Sequence, residues 1–238
     1  MKKAEMTSQQ LVTLIILIVS FSIILIFFFV LDLTGTIDEE SCRNSVSMRG
    51  AFSFLGQSLI TLKCPTKDVC ISFGGGCGAG FSNDATNIEV QSKGELTSEV
   101  GKLIKNCWWM MGEGNSKYSS NGCAICYNIK FGEDVLKQFE GGQLPYSQIY
   151  NSLAVTPLDN SDESVLFYMY NLNSIESVRN KLVQDVDIDI QTANLDLTKE
   201  YAVVTSVNDD NFIQPVLVEF SGASLKSKFS CSEYVTEI

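Results

Sequence analysis

The sequence predicts an α+β protein: an N-terminal transmembrane helix followed by a disulfide-braced ectodomain of mixed α and β structure. Three observations carry this reading. An uncharged apolar run of 21 residues extends from Leu11 to Leu31. All eight cysteines lie beyond it. Between residues 92 and 131 the apolar period changes from that of a helix to that of a strand.

Leu11 to Leu31, LVTLIILIVSFSIILIFFFVL, has no polar groups beyond the hydroxyls of Thr13, Ser20 and Ser22. At 1.5 Å per residue it forms a helix about 31 Å long, close to the hydrocarbon thickness of a bilayer. Lys2 and Lys3 precede it, and Asp32, Asp38, Glu39 and Glu40 follow. Basic flanks stay cytoplasmic, so residues 1–10 are expected inside, 11–31 in the bilayer, 32–45 as a stalk and 46–238 as an extracellular ectodomain at the cell membrane. A cleaved secretory signal has a shorter apolar core, of about 7–15 residues, and a small-x-small cleavage site; a retained anchor fits better.

Lys2-Lys3-Ala4, the polar lead-in Glu5 to Gln10 and the apolar run also resemble the class III leader of archaeal pilins. That resemblance implies cleavage after Ala4 and a filament core built from the helix. Ala4 stands where that family more often has Gly, and Gln9 stands where bacterial pilins carry Glu.

Taking Lys2, Lys3 and Glu5 from the totals of 17 basic and 28 acidic residues leaves 15 and 27 beyond the span, a net charge of −12. Such a surface opposes nucleic acid and anionic lipid, which call for basic patches. Cys42, Cys64, Cys70, Cys77, Cys107, Cys123, Cys126 and Cys231 form an even set in an oxidising compartment, which predicts four disulfides. Zinc would need an all-cysteine site, because the chain has no histidine, and the single Cys-x-x-Cys has no second one to complete it.

Along the chain, Ser47 to Leu62 is apolar in patches broken by Gly50 and Gly56 and reads as short strands. Val69 to Phe73 reads as a strand, and Gly74 to Gly80 as a tight turn pinned by a Cys70–Cys77 bridge. The glycine run lacks the Gly-Lys-Ser/Thr of a phosphate loop. Ser92 and Glu95 form a capping-box pattern, and Leu96, Val100, Leu103, Ile104, Cys107, Trp108 and Met111 fall on one helical face ended by Gly112. Cys123, Ile125, Tyr127, Ile129 and Phe131 then alternate with polar or small residues, a half-buried strand.

That alternation decides the Cys123-x-x-Cys126 pair. In a strand, residues i and i+3 face opposite ways about 10 Å apart, beyond disulfide reach. Two separate bridges are expected: Cys107 to Cys123 as the first choice, Cys107 to Cys126 as the second. A redox pair would instead open a helix.

Cys107-Trp108-Trp109-Met110, Gly112-Glu113-Gly114 and Cys123-Ala124-Ile125-Cys126, with the spacing of the first four cysteines, resemble a group of uncharacterised archaeal proteins with one N-terminal span and a cysteine-rich ectodomain. The similarity covers about residues 1–135. It implies placement in an archaeal cell envelope and assigns no activity to any residue.

In the remainder, Val165 to Leu172 reads as an aromatic-rich strand. Ser174 caps a short helix with Ile175, Val178, Leu182 and Val183 on one face. Val186, Ile188 and Ile190 alternate with Asp185, Asp187 and Asp189 as a solvated strand. Tyr201 to Val207 and Pro215 to Phe220 are further strands, and 132–163 is loop or a short helix. Asp185, Asp187, Asp189 and Asp196 match EF-hand positions 1, 3, 5 and 12, but Ile190 stands where the turn requires Gly. Without histidine the commonest general base is absent, and no carboxylate pair stands in a context that marks a cleft. No cofactor is implied. The expected role is contact-making in the envelope, with the lipid bilayer and an envelope protein or a second copy as partners. The alternatives are a pilin-like subunit and a thiol-disulfide oxidoreductase using Cys123 and Cys126.

Overall fold

The computed structural model describes residues 12–23, 39–51, 62–78, 81–82, 84–114, 119, 121–158, 162–208, 211–220, 225 and 228–236. The chain divides into two compact units, Met1–Thr36 and Ile37–Ile238. In the first, residues 12–23 form helix α1. Its apolar side chains, from Val12 to Ile23, are 49–63% exposed on every side of the helix. The Ser22 hydroxyl turns back to donate to the Ile18 carbonyl at 2.8 Å, so this polar group is satisfied within the helix itself. Leu11, Leu31 and residues 24–31 of the expected span lie outside the described residues. Among the described residues no helix is long and apolar enough to cross a membrane.

The second unit is a mixed sheet with helices packed on it. Its strands are β1 (Lys67–Ser72), β2 (Thr86–Glu89), β3 (Asn121–Phe131), β6 (Tyr201–Asn208) and β7 (Asn211–Glu219), in the order β2-β1-β3-β6-β7; a short strand, β8 (Glu233–Tyr234), pairs with β3. The β2-β1-β3 and β3-β8 pairings are parallel, and β3-β6 and β6-β7 are antiparallel. β4 (Gln143–Pro145) and β5 (Asn194–Asp196) make a separate antiparallel pair. The β-branched run of β6 packs Ala202, Val203 and Val204 with no exposure at all, as a strand covered on both faces does.

Helix α3 (Lys93–Met110) lies across β3, β6 and β7. The Ser92 hydroxyl accepts from the Glu95 N–H at 3.1 Å, while the Glu95 carboxylate accepts from the Gln91 N–H at 2.7 Å, one residue earlier than a strict capping box. At the other end Gly112 takes φ of 78°, and the N–H groups of Gly112 and Glu113 bond back to the Trp109 and Trp108 carbonyls, a Schellman closure. Gly101 packs tightly on α5 (Tyr146–Val155): a Cβ there would meet Leu153 at 3.3 Å. Helix α2 (Glu39–Ala51) packs on α3, and α6 (Val165–Tyr170) packs on α5. Trp108 meets Tyr168 edge to face at 5.6 Å.

Several expectations are corrected. Residues 47–51 are the end of α2 and not a strand, because Cys42, Ser45 and Val46 are buried at helical offsets; residues 52–61 lie outside the described residues. Residues 39–45, at the end of the stretch read as a stalk, are the first part of α2, with Cys42 and Ser45 buried. Residues 165–170 are helical despite their strand-forming side chains. Ser164 caps them by accepting from the Phe167 N–H at 3.2 Å, Val165, Leu166, Met169 and Tyr170 share one buried stripe, and Asn171 ends the turn at φ 51°.

Residues 132–163, read as loop or a short helix, hold α4 (Glu133–Gln138), a 3-10 turn, β4 and α5. Tyr146, Ile149, Tyr150 and Leu153 of α5 are buried at i, i+3, i+4 and i+7. Finally, α7 (Ile175–Val186) runs through Asp185, and Asp187 stops it in the left-handed region at φ 56°, so 185–190 is a helix end and a turn rather than a strand. Val186 takes the buried place expected for Val183, which is 41% exposed.

Candidate functional site

The eight cysteines form four disulfides: Cys42–Cys64, Cys70–Cys77, Cys107–Cys126 and Cys123–Cys231. The Cys70–Cys77 bridge pins the glycine turn. The bridge Cys107–Cys123, expected first, does not form. The strand register shifts by one residue between Ile125 and Tyr127 where β3 pairs with β6. A bulge of this kind exchanges the faces of the residues on either side of it, so the alternation linking Cys123 to Tyr127 breaks at Cys126. Cys126 bonds to Cys107 of α3, and Cys123 bonds to the C-terminal segment.

That segment closes along β3. The Ser232 and Val235 N–H groups donate to the Asn121 and Cys123 carbonyls at 3.2 and 2.8 Å, and the Ile125 N–H donates to the Thr236 hydroxyl at 2.9 Å. Gly122 makes room for it: a Cβ there would lie 2.7 Å from Val235 Cγ1 and from Ser119 Oγ. Cys123 and Cys126 are 0% and 2% exposed and belong to different bridges, so they do not form the short-loop disulfide of an oxidoreductase.

The glycine turn has positive φ at Gly74, Gly76 and Gly78. Its N–H groups are already engaged. Ser72 Oγ accepts from Gly74 and Gly76 at 3.3 and 3.1 Å, and Asp134 Oδ2 accepts from Gly75 at 2.9 Å.

Three of the four aspartates with EF-hand spacing are likewise partnered, each in its own place, and Asp187 is exposed at the end of α7. Lys181 pairs with Asp185 at 2.9 Å along α7. Arg179 donates to both carboxylate oxygens of Asp189 at 2.7 and 2.8 Å and, with the Gln191 N–H, holds that carboxyl down at about 2. Asp196 accepts from the Thr198 hydroxyl at 2.7 Å, which also lowers its pKa. Among the described residues no three acidic, cysteine or histidine side chains converge on a point that could hold a metal.

The tyrosines are structural. Burial pushes the hydroxyls of Tyr127, Tyr146, Tyr150 and Tyr170 well above their ordinary range and that of Tyr201 up to about 12, so all stay protonated. Tyr146 donates to the Leu217 carbonyl at 2.9 Å, and Tyr127 to Glu39 at 2.8 Å. Glu39 also takes Lys67 at 3.3 Å, which fastens the first turn of α2 to the sheet.

A cleft of about 270 Å³ opens beside α7. Lys181, Gln184 and Asp185 form one wall, Phe212 and Ile213 of β7 another, and Lys228, Phe229 and Ser230 the third. Phe229 is fully buried. Of these residues the sequence singled out Asp185 alone, as a cation ligand at EF-hand spacing and not as part of a cleft; charged side chains at helical spacing read first as a solvated face. Compared with known proteins, the chain matches no family model, no curated protein and no solved structure.

Proposed function

We propose that the chain is a single-pass protein of the cell envelope, with a cytoplasmic N-terminus and residues 32–238 outside, acting through protein contacts in a structural or adhesion-type role. The observation that carries this is α1, apolar on every side and with its side chains 49–63% exposed. A helix of that kind loses about 25 cal/mol for each Å² of apolar surface left in water and is at home in hydrocarbon. The lysines before the run and the acids after it give the direction of crossing. Four bridges suit an oxidising compartment. The bilayer is one partner; an envelope protein or a second copy is the other.

Protease added to intact cells removes the bulk of the chain if this reading holds. A second unit that survives until the membrane is opened overturns the orientation. A pilin-like subunit is the second reading, because a helix apolar on all sides also suits a filament core. N-terminal sequencing separates the two. Met1 or Lys2 at the mature start means an anchor; Glu5, together with sedimenting filaments, means a pilin.

A further inference from the structure

Two different segments share one side of β3. β1 pairs with it from Tyr127 to Phe131, and β8 pairs with it at Gly122 and Cys123. Without residues 231–236, the Asn121 and Cys123 carbonyls and the Ile125 N–H lose the partners they have in Ser232, Val235 and Thr236. A row of unpaired groups along a strand is a template for another strand. The lane itself is built by the rest of the fold, because β6 holds β3 across the sheet and Cys107 holds it through Cys126. The chain enters the lane through a strained turn. Lys228 and Phe229 are helical, Phe229 is fully buried, and Ser230 follows at φ 52°. That is the left-handed stop after a helix, where glycine is usual. Asn171 and Asp187 stop α6 and α7 in the same region, but theirs are the side chains that tolerate it. Serine is not one of them, and a short hinge under strain invites exchange of the element beyond it.

We propose that residues 231–236 exchange between two copies of the chain: Ser230 relaxes out of the left-handed region, each segment fills the lane beside residues 121–125 of the other copy, and Cys123–Cys231 closes between chains in a two-fold dimer. Every contact of the segment is kept, so the dimer differs from two monomers by its relaxed hinge and by the cost of association. Two Cys123–Cys231 bonds stand in either form. Passing from one form to the other breaks two and makes two by thiol–disulfide exchange, through a thiolate that is regenerated, with no net oxidation. The segment brings a single charge, Glu233, so the −11 of the chain opposes its insertion little. Six extended residues reach roughly 20 Å, which sets the two lanes close together across the two-fold axis. The exchange deepens the envelope reading, in which a second copy is a partner, and rests on it in one respect: anchors in one membrane hold the copies in one plane at high effective concentration.

A non-reducing gel of the full-length chain, from cells whose free thiols are blocked before lysis, tests this. The unaltered chain gives a covalent dimer that reductant returns to monomer, and peptide mapping of the dimer band finds only the four native pairs. Cys123→Ser with Cys231→Ser abolishes the band, and Cys70→Ser with Cys77→Ser keeps it. Ser230→Gly relieves the closed turn without removing a contact and lowers the ratio of dimer to monomer about fivefold. Ser230→Val, β-branched and worse suited to the left-handed region, raises that ratio. The exchange is overturned by an unaltered chain that runs only as monomer, by a dimer band that holds a non-native pair or survives the Cys123 and Cys231 replacements, or by a ratio that Ser230→Gly leaves in place. Protease added to a portion of the same intact cells reads the orientation separately: a protected second unit overturns the envelope reading, and the gel still decides the exchange.

Discussion

Asp189 shows how a single side chain closes an element. It sits just past the end of α7, accepts both arms of Arg179 from inside that helix, and so ties the turn 187–192 back onto the helix that precedes it. Its native carboxyl titrates at about 2, below the usual value of about 3.9 in an unfolded chain. A carboxyl depressed in the native state stabilises fully above its unfolded value, and the contribution is lost as the pH falls through the native value. Asp189→Asn should therefore lower the thermal midpoint at pH 7, and the gap from the parent protein should close between about pH 4 and pH 2. A gap that persists unchanged at pH 2 would show that the clamp is steric and not ionic. Gly122 makes a different point at the same scale. It faces Val235 with no room for a methyl group, so Gly122→Ala should displace the C-terminal segment and cost about 1–3 kcal/mol in urea unfolding.

Elements in this fold are decided by their ends as much as by their interiors. Four of the six residues of helix α6, Val165, Phe167, Tyr168 and Tyr170, are strand-forming, and Ser164 and Asn171 cap it as a helix. Ser164→Ala should cost about 1 kcal/mol, and Ser164→Asp should restore most of it. Where cap, period and stop agree, as in α3 with Ser92, its apolar face and Gly112, the sequence alone is enough to place the element. In α6 they disagree, and propensity misleads. In α5 the i, i+3, i+4, i+7 pattern was present but lay in a polar surrounding that disguised it; Ile149→Ala, at a fully buried position, should cost about 2–5 kcal/mol. The β3 bulge was beyond reach for a different reason. A shift of register is a property of two paired strands, and neither sequence carries it alone. The cleft was hidden likewise, because its three walls come from segments far apart in the chain.

Taken whole, the second unit is held by one continuous core and by bridges of very unequal reach. Cys70–Cys77 spans 7 residues and Cys123–Cys231 spans 108. In the chain-entropy account the short loop contributes about 2 kcal/mol and the long one nearly 5. Replacing both Cys123 and Cys231 by serine should thus lower the urea midpoint far more than the Cys70/Cys77 pair of replacements. Amide hydrogen exchange should show where: protection should fall first at Val235 and Ile125, whose hydrogen bonds join the C-terminal segment to β3. Equal losses for the two pairs, or exchange that rises elsewhere first, would contradict this.

The same long bridge sets an order of assembly. Cys42 with Cys64, Cys70 with Cys77, and Cys107 with Cys126 can each close soon after the second partner is synthesised, since 22, 7 and 19 residues separate them. Cys123 cannot. Its partner is made 108 residues later, roughly 5–20 s at ordinary rates of translation. Throughout that wait Cys123 is a bare nucleophile three positions from Cys126, and three thiols allow three pairings of which one is native. Early docking of α3 on β3 withdraws Cys107 and Cys126 from the contest and leaves Cys123 to wait. Biogenesis of this protein therefore turns on a race between a helix and a thiolate, run before the last strand exists.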